Sequence, residues 1–381
     1  MNTKLHLLSR ISVGAMIVGA FAPNASADQI VLIGAASPLT GNIAHLGKDV
    51  EEGAQLAVDE INAKGLNVGG QRVTLKLDAQ DDAADPRTAT QVAQKLVDDK
   101  VVAVVGHLQS GTSIPASRIY KDAGIVQISP SATNPAYTQQ GFNTTFRVVA
   151  TDAQQGPALA SFASKSLKVK TAAIIDDSTA YGQGLANEFE KAAKAQGIQV
   201  VSRDATSDKA VDFRAVLTKV KGENPDIIMY GGNDAQSGPL AKQARQLGMR
   251  AKILSGDGTC TDKLPELAGD AADGVICSEA SVAIEKMPGG KALEGKFEKR
   301  FGHGIQAFAP FSYDAVYVIA DAMKRANSVD PTKVLAAMPG TNYQGVIGNI
   351  AFDSKGDLAH GTISIFNFKS GKKTLQDEVK L

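Results

Sequence analysis

Two loops rich in small polar side chains follow neighbouring apolar strands between Val101 and Pro135. Ser110 and Thr112 lie where a short helix begins, so the first backbone N–H groups and the positive dipole end of that helix face the loop. Thr133 lies in the second loop. Because the carboxyl ends of neighbouring parallel strands border the ligand crevice of an open α/β sheet, these groups should converge there. They suit a small anion such as a carboxylate.

Neither loop carries the groups that hold a nucleotide phosphate. Both lack a lysine, a GKS or GKT element and the glycine spacing of a dinucleotide fingerprint, so we expect a small guest with a single carboxylate. A structural role is the alternative for each residue: Ser110 as a helix cap and Thr133 as a turn hydroxyl. Their joint position at strand ends favours the ligand site.

Predicted strands and helices alternate along the chain. Ile30–Ala36 is typical of a buried strand, Lys48–Lys64 of an amphipathic helix, and Asp85-Pro86 of a capped helix start. The alternation resumes after Asp152. This rhythm predicts an α/β protein with doubly wound parallel sheets. Later helices are predicted near Leu185–Gln196, Phe213–Val220, Pro239–Leu247, Phe311–Arg325 and Thr332–Met338.

The N-terminus has the pattern of an export signal. Lys4 and Arg10 precede the apolar stretch Ile11–Phe21, and Ala25-Ser26-Ala27 has the small-x-small form of a signal-peptidase site. The apolar stretch is too short to span a bilayer. We expect residues 1–27 to be removed, Asp28 to begin the mature protein, and the mature chain not to insert into a membrane, because no second long apolar run follows.

Composition argues against several classes of partner. The chain has 40 basic and 40 acidic residues and no dense basic run, which disfavours nucleic acid and anionic membranes. The five histidines are scattered, and His107 has no second ligand at useful spacing, so we predict neither a metal nor a cofactor. In an exported chain the only cysteines, Cys260 and Cys277, are best interpreted as one disulfide.

Five short strings together resemble a known family, the periplasmic branched-chain amino-acid-binding receptors of ABC importers, the leucine/isoleucine/valine-binding type. The similarity runs from about Gln29 to the C-terminus. The strings are GHLQSGTSIPAS, ISPSATNP, DDAADP (81–86), AYGQG (180–184) and SYDAV (312–316).

The resemblance implies a type I periplasmic binding protein, with two doubly wound lobes joined by a three-strand hinge. We place lobe 1 at 28–148 and 281–354, and lobe 2 at 149–280 and 355–381. The resemblance further implies a periplasmic receptor that captures a small aliphatic, branched-chain amino acid and delivers it to the permease subunits of an ABC transporter. We expect a monomer.

The family's ligand-binding residues map onto five positions. Ser110 and Thr133 would hold the α-carboxylate, and the carbonyl of Ser131 would accept from the α-ammonium. Asp257 would pair with the ammonium from the opposite lobe, and Tyr181 would close over the ligand. From the residues alone, Asp257 could be a turn former between two glycines, and Tyr181 could be either a lid or part of a surface turn.

The resemblance also suggests which residues line the pocket. Leu46 and Asn233 stand where leucine-type receptors commonly have aromatic residues, and Asp257 is one methylene shorter than the glutamate often found there. These departures concern which side chain is accepted and leave the amino-acid class unchanged. The remaining expected lining residues are Leu108, Gln109 and Phe308, with a core position as the alternative for Phe308.

An enzyme and a sensor are the competing functions. An α/β hydrolase would show GxSxG, which GHLQSG lacks, and no P-loop, HExxH or nicotinamide fingerprint occurs. We therefore predict no catalytic residues. A sensor of amino acids or amides with the same fold would share the pocket, but an export signal followed by one receptor-length chain favours delivery to a transporter.

Overall fold

The computed structural model describes Met1 and residues 28–380, so the predicted signal peptide lies almost wholly outside the described residues. Two large sheets and one two-stranded sheet organise this part of the chain. Within it, no helix combines the length and the apolar composition needed to cross a membrane.

The first sheet has six strands in the order β2-β3-β1-β4-β5-β6. Its members are parallel except for β2, which pairs antiparallel with β3 at the edge. The central strands are apolar along their length because helices cover both faces of a parallel sheet. The strands are β1 (Gln29–Ser37), β2 (Leu66–Val68), β3 (Gln71–Asp81), β4 (Ala103–Gly106), β5 (Val126–Ser129) and β6 (Thr145–Arg147).

Three helices connect these strands: α1 (Ala44–Lys64), α2 (Pro86–Asp98) and α3 (Ser110–Ala123). The predicted start of α2 is confirmed, because the Asp85 carboxylate accepts hydrogen bonds from the N–H groups of Arg87 and Thr88. Helix α1 begins four residues before the predicted Lys48, at Ala44.

The second sheet has seven strands in the order β15-β14-β11-β10-β9-β7-β8. Five are parallel, while β14 and β15 add an antiparallel edge that the sequence pattern did not indicate as part of this sheet. The strands of this sheet are β7 (Thr171–Asp176), β8 (Gln199–Ala205), β9 (Ile227–Gly231), β10 (Lys252–Ser255), β11 (Val275–Glu279), β14 (Thr362–Lys369) and β15 (Lys372–Lys380). The remaining strands, β12 (Tyr343–Gln344) and β13 (Asn349–Ile350), form a separate antiparallel pair.

Eight further helices complete the described chain, and those after β11 pack against the first sheet's layer, with α10 lying along α1. Three segments therefore join the two sheets: β6 to α4, β11 to α9, and β13 to β14. The lobe boundaries given above remain a prediction. The helices are α4 (Asp152–Lys165), α5 (Ala180–Ala195), α6 (Arg214–Glu223), α7 (Asp234–Gln246), α8 (Leu264–Ala268), α9 (Gly290–Phe301), α10 (Ala309–Ala326) and α11 (Pro331–Ala337).

A buried arginine fastens two of these joining segments together. The Arg147 guanidinium lies 2.6 Å from a carboxylate oxygen of Asp357 and donates to the carbonyl of Ala132 at 2.6 Å. The Arg147 backbone N–H donates to the carbonyl of Gly356. Gly356 has φ +91°, and a side chain there would overlap the Thr145 carbonyl, so this crossing requires glycine.

Candidate functional site

A small cavity of about 10 Å³ lies between the two sheets, at the carboxyl ends of their strands. Eight of the ten predicted ligand-binding or lining residues surround it, together with Gly258. They are Leu108, Gln109, Ser110, Ser131, Tyr181, Asn233, Asp257 and Phe308.

The loop that follows β4 is held by a buried histidine. The His107 carbonyl accepts hydrogen bonds from the hydroxyls of Ser113 and Ser129, at 3.0 and 2.9 Å. Its ring lies between the Asp82 carboxylate, at 2.7 Å, and the Tyr120 hydroxyl, at 3.1 Å. All of these side chains are fully buried, so the backbone entering the helix at Ser110 is fixed on several sides.

Ser110 is the first residue of α3, so its backbone N–H has no acceptor within the helix. Its hydroxyl accepts a hydrogen bond from the Asn134 N–H at 3.2 Å, which connects the two polar loops. The side chain is almost completely buried. The N-terminus of α3 therefore faces the cavity with donors and with the positive end of its dipole, as an anion requires.

Ser131 and Thr133 occupy the loop after β5. The Ser131 hydroxyl donates to the Leu108 carbonyl at 2.8 Å. Thr133 is fully buried, and its hydroxyl lies near the Asp152 carboxyl without meeting hydrogen-bond geometry to any described residue. Its carbonyl accepts from the N–H of Asp152, the first residue of α4, at 2.8 Å. Thr133 thus stands beside the site without belonging to the wall of the cavity.

The opposite side of the cavity carries Asp257, directly after β10. One carboxylate oxygen accepts from the Gln155 amide at 2.9 Å and from the Tyr181 hydroxyl at 3.1 Å. Burial raises the pKa of Asp257 to about 6, although the hydrogen bonds from Gln155 and Tyr181 each lower it. The Tyr181 hydroxyl in turn accepts from the Gly258 N–H at 2.9 Å. Tyr181 is buried on the first turn of α5, so the surface-turn alternative is wrong.

A second buried acid, Asp152, accompanies Asp257. Burial, reinforced by the nearby Asp257 charge, raises the pKa of Asp152 well above its usual range. Gln155 joins the two, with its amide 3.4 Å from Asp152 and 2.9 Å from Asp257. Neither carboxyl forms an ion pair with any described residue. An ionised Asp257 without a counter-charge is costly, so this half of the site favours a cation.

The prediction from the sequence missed Asp152 and Gln155. The pattern Thr151-x-x-Gln154, a capping box, marks the start of α4 but does not indicate that this helix start lies at the site. In the structure the Gln154 side chain accepts from the Thr151 N–H at 2.8 Å. Recognising that helix start would have placed both residues in its first turn.

The two sides of the cleft touch at its edges. The Gln109 amide donates to the side-chain oxygen of Asn233 at 3.1 Å, and a His45 ring nitrogen lies 2.7 Å from an Asp234 oxygen. Phe308 is fixed by its N–H, which donates to the buried Asp49 carboxylate. These contacts bring residues of both sheets' layers around one enclosed space.

Leu46 and the cysteines complete the predicted set. Leu46 is fully buried on α1 among core side chains and does not contribute to the cavity wall. Cys260 and Cys277 form the predicted disulfide, with Cα atoms 5.3 Å apart. It ties the loop that carries Asp257 to strand β11. Within residues 28–380 no group of His, Cys, Asp and Glu side chains is arranged to hold a metal ion.

One side of the cavity thus offers helix and loop donors, and the other offers the buried Asp257 carboxyl, which Gln155 links to Asp152. A molecule with an anionic end and a cationic end satisfies both sides at once. Two α/β units joined by several crossing segments around such a cleft define the class of solute-binding receptors that close on a ligand by hinge motion.

Comparison with known families places the chain in this class. The family model described as periplasmic binding protein matches residues 31–373, and the chain belongs to that family. The match confirms the resemblance inferred from the short strings.

Two relatives in sequence span nearly the whole chain. A leucine-, isoleucine-, valine-, threonine- and alanine-binding protein of Pseudomonas aeruginosa is 34% identical over 373 residues, which cover 98% of each protein. The Leu/Ile/Val-binding protein BraC3 of Rhizobium johnstonii is 36% identical over 355 residues, which cover 93% of this chain and 95% of that protein.

Solved structures agree with the fold. The leucine-binding protein LivK of Thermotoga maritima superposes with a TM-score of 0.85 at 30% identity, covering 92% of this chain and 98% of that one. The branched-chain amino acid transporter substrate-binding protein LivJ of Streptococcus pneumoniae, in complex with isoleucine, superposes with a TM-score of 0.84 at 28% identity, covering 93% and 100%. The predicted type I periplasmic binding fold is confirmed.

Proposed function

We propose that this protein is a periplasmic receptor that captures a small aliphatic, branched-chain amino acid between its lobes and delivers it to an ABC permease. The observation that carries the proposal is the buried acid Asp257, which faces a helix N-terminus across a small cavity and forms no ion pair with a described residue. The names of the relatives, which include leucine, isoleucine and valine, support the same ligand class.

Each end of the amino acid has its own partners in this proposal. The α-carboxylate accepts hydrogen bonds from the hydroxyl and backbone N–H of Ser110 and from Thr133, whose hydroxyl meets hydrogen-bond geometry to no described residue. The α-ammonium donates to the Ser131 carbonyl and pairs with Asp257. Tyr181 closes over the ligand, and its hydroxyl holds the Asp257 loop through Gly258.

Ligand binding can be tested on protein that has been denatured, dialysed and refolded to remove any bound solute. A ligand present at one hundred times its dissociation constant stabilises the folded state by about 2.7 kcal/mol, which a thermal-shift screen detects. We expect leucine, isoleucine, valine or a comparably small aliphatic amino acid to give the largest shift. Stabilisation by sugars or peptides, with no free amino acid active, would contradict the proposal.

Two analogues of leucine separate the halves of the site. Leucinamide keeps the ammonium and lacks the carboxylate, while 4-methylpentanoate keeps the carboxylate and lacks the ammonium. Because each half of the site should lose a charge-assisted hydrogen bond worth about 1.5 to 3 kcal/mol, both analogues should bind at least tenfold more weakly than leucine. If either analogue binds as tightly as leucine, the half of the site that should contact its missing group does not bind the ligand.

Export, assembly and the absence of turnover belong to the same proposal. We infer cleavage after Ala27, a monomeric mature receptor, and release of the ligand unchanged to the permease subunits. N-terminal sequencing of protein recovered from the periplasm should begin at Asp28. Mass spectrometry after long incubation should find the amino acid intact, and conversion beyond one equivalent per protein would indicate an enzyme.

A further inference from the structure

A second, larger cavity of about 90 Å³ adjoins the proposed amino-acid site. Asp257 and Phe308 line both cavities, so the two spaces meet at these side chains. The larger cavity lies between the end of β11 on one side and the segment that leads into α9 and α10 on the other. Most of its wall is apolar and includes Val149, Ile284, Met287, Ile305, Pro310 and Phe311.

The charged groups of this cavity are mostly acidic. Lys373 supplies the one ammonium, and its nitrogen lies 2.6 Å from a Glu279 oxygen and 3.7 Å from an Asp262 oxygen. Glu294 also lines the cavity and forms no ion pair with a described residue. Glu294 and Asp262 are exposed, so the surplus negative charge lies where the cavity meets solvent.

An apolar wall with an acidic rim matches one kind of side chain. Lysine and arginine bury their methylene stems along apolar surfaces and keep the charged end near water. We propose that this cavity is a second subsite, which takes the side chain of an amino acid with a long, unbranched, cationic side chain while the head group stays at Ser110, Thr133 and Asp257. The inference rests on the proposed function, because the same residues must hold the head group.

A filling variant and a charge variant test the subsite. Ile284→Trp adds bulk to the apolar wall, and Glu294→Gln removes a rim charge; neither residue touches the head-group site. Glu298→Gln, on the same helix and outside both cavities, is the matched control for the charge. Calorimetry with L-lysine and L-valine is done on each stripped, refolded protein.

We expect the parent protein to bind both lysine and valine. Ile284→Trp should weaken lysine binding about tenfold or more, because the added ring occupies the space of the stem, while valine binding stays within about twofold. Glu294→Gln should weaken lysine binding by about two- to fivefold, as expected for an exposed charge pair, and Glu298→Gln should not. Retained valine binding also shows that each variant is folded.

The outcomes separate the subsite from the proposed function. If valine or leucine binds the parent and lysine does not, the subsite is wrong and the receptor function stands. If Ile284→Trp weakens the binding of lysine and of valine equally, or leaves the binding of both unchanged, the long side chain does not enter this cavity. If no free amino acid binds the parent, the proposed function itself fails.

Discussion

Replacing Asp257 with asparagine should weaken amino-acid binding severely, because the carboxylate is the buried partner that we propose for the ligand ammonium. Its side chain is only 5% exposed, and no described residue supplies a counter-charge. Removing one member of such a buried charge pair commonly costs roughly 2 to 5 kcal/mol. The dissociation constant for leucine should therefore rise by a factor of about 30 to about 4,000.

The same substitution should leave the unliganded protein at least as stable as the parent at neutral pH. Burial raises the pKa of Asp257 to about 6 in the folded protein, from 3.8. A raised carboxyl pKa contributes stability that is fully present below about pH 4 and is lost as pH rises through about 6. At neutral pH, ionised Asp257 thus costs on the order of 2 to 3 kcal/mol of folding stability, which asparagine avoids.

Calorimetry and thermal melts at pH 4, 5, 6 and 7 check both effects, with Asp262→Asn as control. Asp262 lies in the same loop, but its side chain is 62% exposed, so leucine binding to Asp262→Asn should match that of the parent. For the parent, affinity should also fall below about pH 6, because the ammonium then competes with protonation of Asp257. Equal dissociation constants for Asp257→Asn and the parent would refute the reasoning.

Three further predictions concern the framework around the site. Reduction of the disulfide should add two mass units and lower stability by on the order of 3 kcal/mol, and two freely alkylated thiols in native exported protein would contradict the bridge. Gly356→Ala should lower the melting temperature, because an added Cβ overlaps the Thr145 carbonyl at the crossing between lobes. An unchanged melting temperature would show that the backbone there shifts without loss of stability. His45→Ala should speed leucine dissociation a few-fold in stopped-flow measurements, since the contact with Asp234 joins the two sides of the cleft, and a parental rate would exclude that role.

Helix starts were the least predictable part of the fold, and glycine shows why. The sequence predicts a helix near Leu185–Gln196, yet α5 begins at Ala180, so Gly182 and Gly184 lie inside its first turns. A side chain at Gly182 would overlap the Asp177 carboxylate, and one at Gly184 would crowd the Asn134 amide. These glycines allow close approach within a helix, and a sequence cannot distinguish that role from a turn.

Proline had a similar effect on α7. Its start was predicted near Pro239, whereas the helix runs from Asp234 and contains the proline in its second turn. Strand positions were more predictable, because the predicted strand Ile30–Ala36 differs from β1 by one residue at each end. Strand β15 was missed because its exposed residues show no apolar run.

A site residue could be predicted where one short stretch of sequence shows both its type of side chain and its position in the fold. Ser110 follows a strand and begins a helix, so its role could be inferred locally. Asp152 and Gln155 reach the site only because the chain crosses between sheets just before α4, and no local pattern records that crossing. A residue whose role depends on where the chain returns is found from tertiary structure and not from its neighbours in sequence.

The distribution of charge across the cleft explains why closure should depend on the ligand. The side built on Ser110 offers donors and a positive helix end, while the side built on Asp257 offers an acid that Gln155 links to Asp152. Burial has raised the pKa of both carboxyls. Without a ligand, closure only desolvates these carboxyls and is opposed. A zwitterion supplies an acceptor to one side and a cation to the other, so an anion alone or a cation alone satisfies half of the site and leaves the other half unpaired. We therefore expect selectivity for free amino acids to arise from the closed state itself, before any side-chain contact discriminates among them.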